Sequence, residues 1–111
     1  MIETIIFDYL NDTMQVPAYM EEPERPPAEY LRIELLGASI TDHVKSAVIG
    51  VQSYGSSLFR AASISHEAVG KMLDSITLNQ ISKCKLNSEY NFSDEKTHRY
   101  RYQAVFDIVY F

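Results

Sequence analysis

The chain has 111 residues, 46% hydrophobic and 23% charged, which suits one globular domain and excludes both a disordered chain and two domains of ordinary size. Ten Lys and Arg against fifteen Asp and Glu give a formal net charge of -5, which argues against gripping nucleic acid over a broad basic face, where Lys and Arg must replace phosphate counterions. The single cysteine, Cys84, forms no internal disulfide and suits a reducing compartment, and no apolar run approaches the ~20 residues that span a bilayer.

Ile2, Ile5, Ile6, Tyr9 and Leu10 recur at helical spacing, with Glu3 and Asp8 off the stripe. They predict a short amphipathic helix over 2–11, ended by Asn11-Asp12 and too short to stand alone. The same acids sit where a signal peptide would be basic and then apolar. All four prolines fall between Val16 and Pro27. Val16, Ala18 and Met20 alternate with Pro17, Tyr19 and Glu21, which predicts a strand. Pro17 has no N–H to give a ladder, so that strand lies at an edge or pairs only after the proline. From Glu22 to Pro27 an extended, exposed, acidic loop is expected.

Leu31, Ile33 and Leu35 alternate with Arg32 and Glu34, and Gly37 to Asp42 breaks the run. A second run, Lys45 to Tyr54, sets Ala47, Ile49 and Val51 on one face and Val48, Gly50 and Gln52 on the other. A loop of hairpin size joins the two as antiparallel neighbours. From Ser56 to Asp74 the period changes: Leu58, Ala62, Ser65, Val69, Met72, Leu73 and Ile76 recur at threes and fours. This is the principal helix, capped by Ser56 or Ser57 and lying across a sheet face, with Gly70 allowing a close approach to the sheet.

Cys84, Leu86, Ser88, Tyr90 and Phe92 then alternate with Lys83, Lys85, Asn87, Glu89 and Asn91. Tyr100, Tyr102, Ala104, Phe106, Ile108 and Tyr110 alternate with Arg99, Arg101, Gln103, Val105, Asp107 and Val109. The polar link from Ser93 to Thr97 makes these a long β-hairpin. Nothing repeats at a fixed period. The expected fold is α+β: a largely antiparallel β-sheet of about five strands packed against a long helix, with a short N-terminal helix, as a single domain over residues 1–111. Its core should join Tyr100, Tyr102, Ala104, Phe106 and Ile108 to Leu58, Ala62, Val69, Met72 and Leu73.

The candidates for chemistry are few. His43, His66 and His98 lie far apart, with no thiol or carboxylate at ligand spacing, so no metal site is expected. Cys84 falls on an apolar strand face and reads as a packing residue. Tyr54-Gly55-Ser56-Ser57, between a strand and a helix start, is where an anion could meet free N–H groups, but it lacks the P-loop pattern and reads first as a turn and cap. Arg99, Tyr100, Arg101 and Tyr102 interleave bases and aromatics as a single-strand binder does, yet in a strand the two types point to opposite faces. They therefore predict a charged solvent face and a core face, with no mixed platform.

Two features exceed what a lone domain needs: the acidic Pro-rich arm, and a long terminal hairpin rich in tyrosine, a residue favoured at interfaces. Val16-Pro17-Ala18-Tyr19, Tyr30-Leu31-Arg32-Ile33-Glu34 and Ile49-Gly50-Val51-Gln52-Ser53-Tyr54 precede the long helix. Leu86-Asn87-Ser88-Glu89-Tyr90-Asn91-Phe92-Ser93-Asp94 and Tyr100-Arg101-Tyr102-Gln103-Ala104-Val105-Phe106-Asp107 follow it. In these runs and in element order, the sequence resembles tail terminator (tail completion, head–tail joining) proteins of tailed phages and prophages of Gram-positive bacteria.

The resemblance implies a structural protein of the virion, assembled in the host bacterial cytoplasm, that forms a ring of its own copies, typically a hexamer. It implies tail tube protein and head-connector or adaptor protein as partners, and DNA that passes through without specific binding. It implies no enzyme activity, no cofactor and no membrane. As assembly-interface or channel-facing residues the reading points to Glu21, Glu22, Glu24 and Arg25 on the arm and to Asp94, Glu95 and Lys96 at the hairpin tip. The rival reading is a small ligand- or anion-binding α+β domain, catalytic in one form, using the turn at Tyr54 to Ser57.

Overall fold

Ile2, Ile6 and Leu10 recur every fourth residue, and the first helix, α1 (Ile2–Thr13), buries all three. The computed structural model describes residues 1–94 and 96–111. After α1 come β1 (Ala18–Tyr19), β2 (Tyr30–Thr41), β3 (Val44–Gly55), α2 (Leu58–Leu73) with a 3₁₀ turn at Asp74–Thr77, β4 (Ile81–Asn91) and β5 (Tyr100–Tyr110). The strands form one five-stranded sheet in the order β1-β2-β3-β5-β4. β1 runs parallel to β2 and every other pairing is antiparallel, so the fold is α+β with a mixed sheet. Among the described residues no helix is long and apolar enough to cross a membrane.

One core joins α1, the inner sheet face and α2. Leu31 and Ile33, Ala47, Ile49 and Val51, and Ala104, Phe106 and Ile108 meet Ala68 and Met72 of the helix. Tyr9 fastens the two helices, its hydroxyl donating to the Lys71 carbonyl at 2.7 Å in the last turn of α2, where carbonyls lack intrahelical partners. Among the described residues no helix packs on the opposite sheet face.

The expected strand over Val16 to Met20 shrinks to β1, at the sheet edge and after Pro17, as the missing proline N–H requires. The Pro17 carbonyl still accepts from the Leu31 N–H at 2.8 Å. On the other side of β1, Asn11 stands in for a strand. Its Oδ1 accepts from the Ala18 N–H at 3.0 Å and its Nδ2 donates to the Ala18 carbonyl at 3.3 Å.

The break expected from Gly37 to Asp42 does not occur. β2 continues to Thr41 through a register shift between Leu35 and Gly37, and the turn is only Asp42-His43. Both residues have positive φ, 51° and 67°, which matches the twist of a two-residue hairpin turn. Gly37 marks a bulge inside a strand, and its sequence signal resembles that of a loop. The molecule is elongated, 44 × 25 × 25 Å, and Ile40 near the hairpin end remains 69% exposed.

The α2 stripe is rotated from expectation. Ala61, Ile64, Ser65, Ala68 and Met72 are buried, while Leu58, Leu73 and Ile76 are exposed. The cause is close packing at the helix start. A Cβ on Gly55 would stand 2.3 Å from the Ala61 nitrogen, so the helix begins directly on the end of β3, where small side chains fit and Leu58 does not. Gly55, and not Gly70, is the close-approach glycine; Gly70 has nothing within 4 Å of such a Cβ. Ser57 is the cap, its Oγ accepting from the Arg60 N–H at 3.1 Å.

A second correction concerns β4. Cys84 and Leu86 face the core, but a register shift between Leu86 and Ser88 reverses the alternation beyond it. Glu89 then lies across from Ala104 on the helix side, and Tyr90 lies across from Gln103 on the outer face. The Glu89 carboxylate accepts from Ser65 Oγ at 2.6 Å and meets His66 Nδ1 at 3.0 Å. In β5 the buried core residues are Ala104, Phe106 and Ile108, with Tyr110 packed partly buried against them, while Tyr102 is only half-buried and Tyr100 is exposed.

Candidate functional site

Tyr30 and Tyr54 are directly opposed across β2 and β3, and this pairing builds the most elaborate side-chain cluster of the outer face. Their rings stack at 4.3 Å with planes 6° apart, and Tyr19 meets Tyr30 edge-on at 5.8 Å. The Arg99 guanidinium lies 4.7 Å over Tyr54, and that of Arg101 lies 4.6 Å over Phe92. Bases and aromatics therefore do form a mixed surface, contrary to the single-strand reading. Within β5 they face apart as expected; the mixing is between strands, since Tyr30, Tyr54 and Phe92 come from elsewhere.

The arm is fastened to this cluster. Glu22 Oε1 accepts from the Tyr30 hydroxyl at 2.6 Å and from Arg99 Nη2 at 2.8 Å, and Arg99 also contacts the Tyr30 hydroxyl. Burial alone would raise the Glu22 carboxyl, but the hydrogen bonds from Tyr30 and Arg99 outweigh it and hold the group below its ordinary value. Burial, reinforced by the bond to Glu22, pushes the Tyr30 phenol up. At the other end of the arm, Glu29 accepts from Arg60 Nε at 2.9 Å and from Arg60 Nη2 at 3.0 Å. Ser56 Oγ donates to the same carboxylate at 3.2 Å. The Arg60 bonds hold Glu29 down to about 2.

Glu29 thus sits against the Ser56 turn and the α2 start, the place the rival reading gives to an external anion. The chain's own carboxylate fills that position. Beside it, Pro26, Pro27, Tyr30, Tyr54 and Arg99 line an open cavity of about 290 Å³.

The hairpin tip closes through a bridge between Asp94 and Arg99, with backbone bonds of 3.0 and 3.2 Å. The bond from the Thr97 side chain, then that from the Lys96 N–H at 3.0 Å, holds the Asp94 carboxyl below its ordinary value. Of the arm and tip residues singled out, Glu21, Glu22, Glu24, Arg25 and Lys96 are exposed and Asp94 is half-buried; Glu22 and Asp94 are held by hydrogen bonds within the chain. Glu95 lies outside the described residues. Arm and tip meet through Glu22 and Arg99, a contact that sequence reasoning missed. The only local signal was the Arg99 and Arg101 spacing, which names no partner.

Below the cluster, two buried glutamines extend it across the sheet. Gln52, 4% exposed, donates to Gln103 Oε1 at 3.0 Å and to Glu34 at 3.3 Å, and accepts from the Tyr54 hydroxyl at 3.2 Å. Gln103 donates to the Tyr90 hydroxyl at 2.5 Å. Satisfied buried polar groups of this kind rigidify a surface, because any misalignment leaves one of them unpaired. Burial pushes the half-buried Cys84 thiol up, the direction opposite to that which activates a nucleophile. Among the described residues no group of three or more His, Cys, Asp and Glu side chains is placed to hold a metal ion. No protein-family model matches the chain, and a search of curated proteins finds no match.

Proposed function

We propose that this chain is a structural assembly protein of a tailed phage or prophage particle: a tail terminator that caps the tail tube and joins it to the head connector as a hexameric ring. The observation that carries this reading is the end surface on which the arm and the hairpin tip are tied together by Glu22 and Arg99. Two segments distant in sequence meet there, with Glu21, Glu24, Arg25 and Lys96 turned to solvent. The resemblance in the strand sequences on either side of α2 supports the same reading. On it, the partners are further copies of the chain, the tail tube protein and the connector, at the tail–head junction of a virion built in the bacterial cytoplasm. DNA crosses the ring without specific contacts, kept off an acidic assembly of six copies at -5 each by repulsion over about a Debye length, ~8 Å at physiological salt.

The test is to add the purified chain to tail tubes and image the tube ends by negative stain. Rings on the ends, with tubes of uniform length, are the expected result. Bare ends at saturating protein, or a monomer that instead binds a small anion, would overturn the reading.

A further inference from the structure

We propose that copies of this chain join edge to edge and head to tail, the open edge of β2 in one copy taking β4 of the next as an added strand. The proposal rests on the ring reading above and deepens it by naming the surface that closes the ring.

Each side of the sheet ends in an unpaired row of backbone groups. β1 covers only Leu31 and Arg32, so among the described residues β2 has no strand beside it on that side from Ile33 to Thr41. β4 is outermost on the other side and pairs with β5 alone. Soluble proteins guard such edges with Lys, Pro and bulges, or occupy them. β4 carries Lys83 and Lys85, both exposed, and two register shifts. The open stretch of β2 has no Lys, Arg or Pro, one charge, Glu34, and exposed Leu35, Leu36 and Ile40.

The charges select the pairing. On the outer face the only charge in the open stretch of β2 is Glu34 and the only charges of β4 are Lys83 and Lys85, because the one acid of β4, Glu89, lies on the helix side against Ser65 and His66. On that face a β4 edge offers the lysines of another β4 no acid, a β2 edge offers Glu34 of another β2 no base, and the mixed pairing brings opposite charges together. Glu34, Lys83 and Lys85 also share one face of the sheet: Glu34 reaches Gln52 there, and Lys85 lies across from Asp107 there. None of the three makes an ion pair among the described residues.

Direction agrees as well. Counting the antiparallel pairings from β2 through β3 and β5, β4 runs antiparallel to β2. A neighbour in the same orientation therefore offers β4 as an antiparallel strand. An interface made of two different patches propagates around a ring and does not stop at a dimer.

The experiment uses charge reversal in the full chain, read by sedimentation from micromolar to millimolar concentration, with folding checked by thermal melts. The wild type should associate beyond a dimer. Glu34→Lys leaves both edges basic, and the Lys83→Glu, Lys85→Glu variant leaves both acidic, so each alone should associate about tenfold more weakly or worse. Mixed together, the two should assemble again past the dimer, because each offers the edge the other lacks. A wild type that stays monomeric at millimolar concentration, reversals that change nothing, or a mixture that stops at a dimer would each overturn the proposal. Tube ends separate it from the ring reading. Variants that still cap tubes normally refute the edges and leave the ring, whereas edge-dependent oligomers that never cap tubes refute the ring reading and leave the edges.

Discussion

The Glu22 carboxylate and the Arg99 guanidinium stand 2.8 Å apart, separated by 77 residues of chain. The same carboxylate oxygen receives the Tyr30 hydroxyl, so one atom ties the arm, the start of β2 and the base of the terminal hairpin. The arm is therefore part of the folded surface and not a free tether. Glu29 fastens its other end through Arg60.

Acid should loosen the arm. Both Glu22 and Glu29 are held below their ordinary values, so their contribution is complete above the unfolded carboxylate range and is lost as the pH falls through the folded values. For Glu29 that window runs from its ordinary 4.5 down to about 2. Carboxyl carbon shifts followed by NMR should show Glu29 titrating near the lower limit. A normal titration of Glu29 would mean that the Arg60 pair does not persist in solution.

Phe106 is fully buried at the centre of the core. Phe106→Ala should cost about 3–5 kcal/mol, much of the stability of a domain this size, and lower the melting temperature accordingly. An unchanged melting temperature would contradict the placement of this face.

Two glycines should respond in opposite directions. Gly55→Ala forces a Cβ to 2.3 Å from the Ala61 nitrogen, and the helix start must move, at a cost of about 1–3 kcal/mol. Gly70→Ala meets nothing within 4 Å in the interior of α2, and should stabilise by about 0.4–1 kcal/mol. Denaturant midpoints of the two variants measure both.

On the assembly reading, replacing Glu21, Glu24, Arg25 and Lys96 together by Ser should leave the melting temperature within a few degrees of wild type, since none is held in a core contact. Tube capping should fail. Normal, length-controlled tails from this variant would reduce the arm and tip to ordinary loops.

On the same reading, the chain should show no retention of duplex DNA at ~0.15 M salt. Tight binding that weakens steeply with added salt would instead favour the outer face of Lys83, Lys85, Arg99 and Arg101 as a nucleic-acid surface.

By itself the sequence determined the element types and their order, because alternation and helical periodicity are local properties carried by runs such as Ala47-Ile49-Val51 and Ala104-Phe106-Ile108. It also determined that the strand at Pro17 would lie at an edge or pair only after the proline. Tertiary structure decided the rest. The phase of α2 depended on how closely Gly55 lets the helix start approach the sheet, and a stripe of larger apolar residues could not reveal it. The bulges at Leu35–Gly37 and Leu86–Ser88 changed which residues face inward, and a one-residue slip leaves the local alternation looking intact. The joining of arm to hairpin through Glu22 and Arg99, and the stacking of Tyr30 on Tyr54, required strand register, which is set by long-range pairing across the whole sheet.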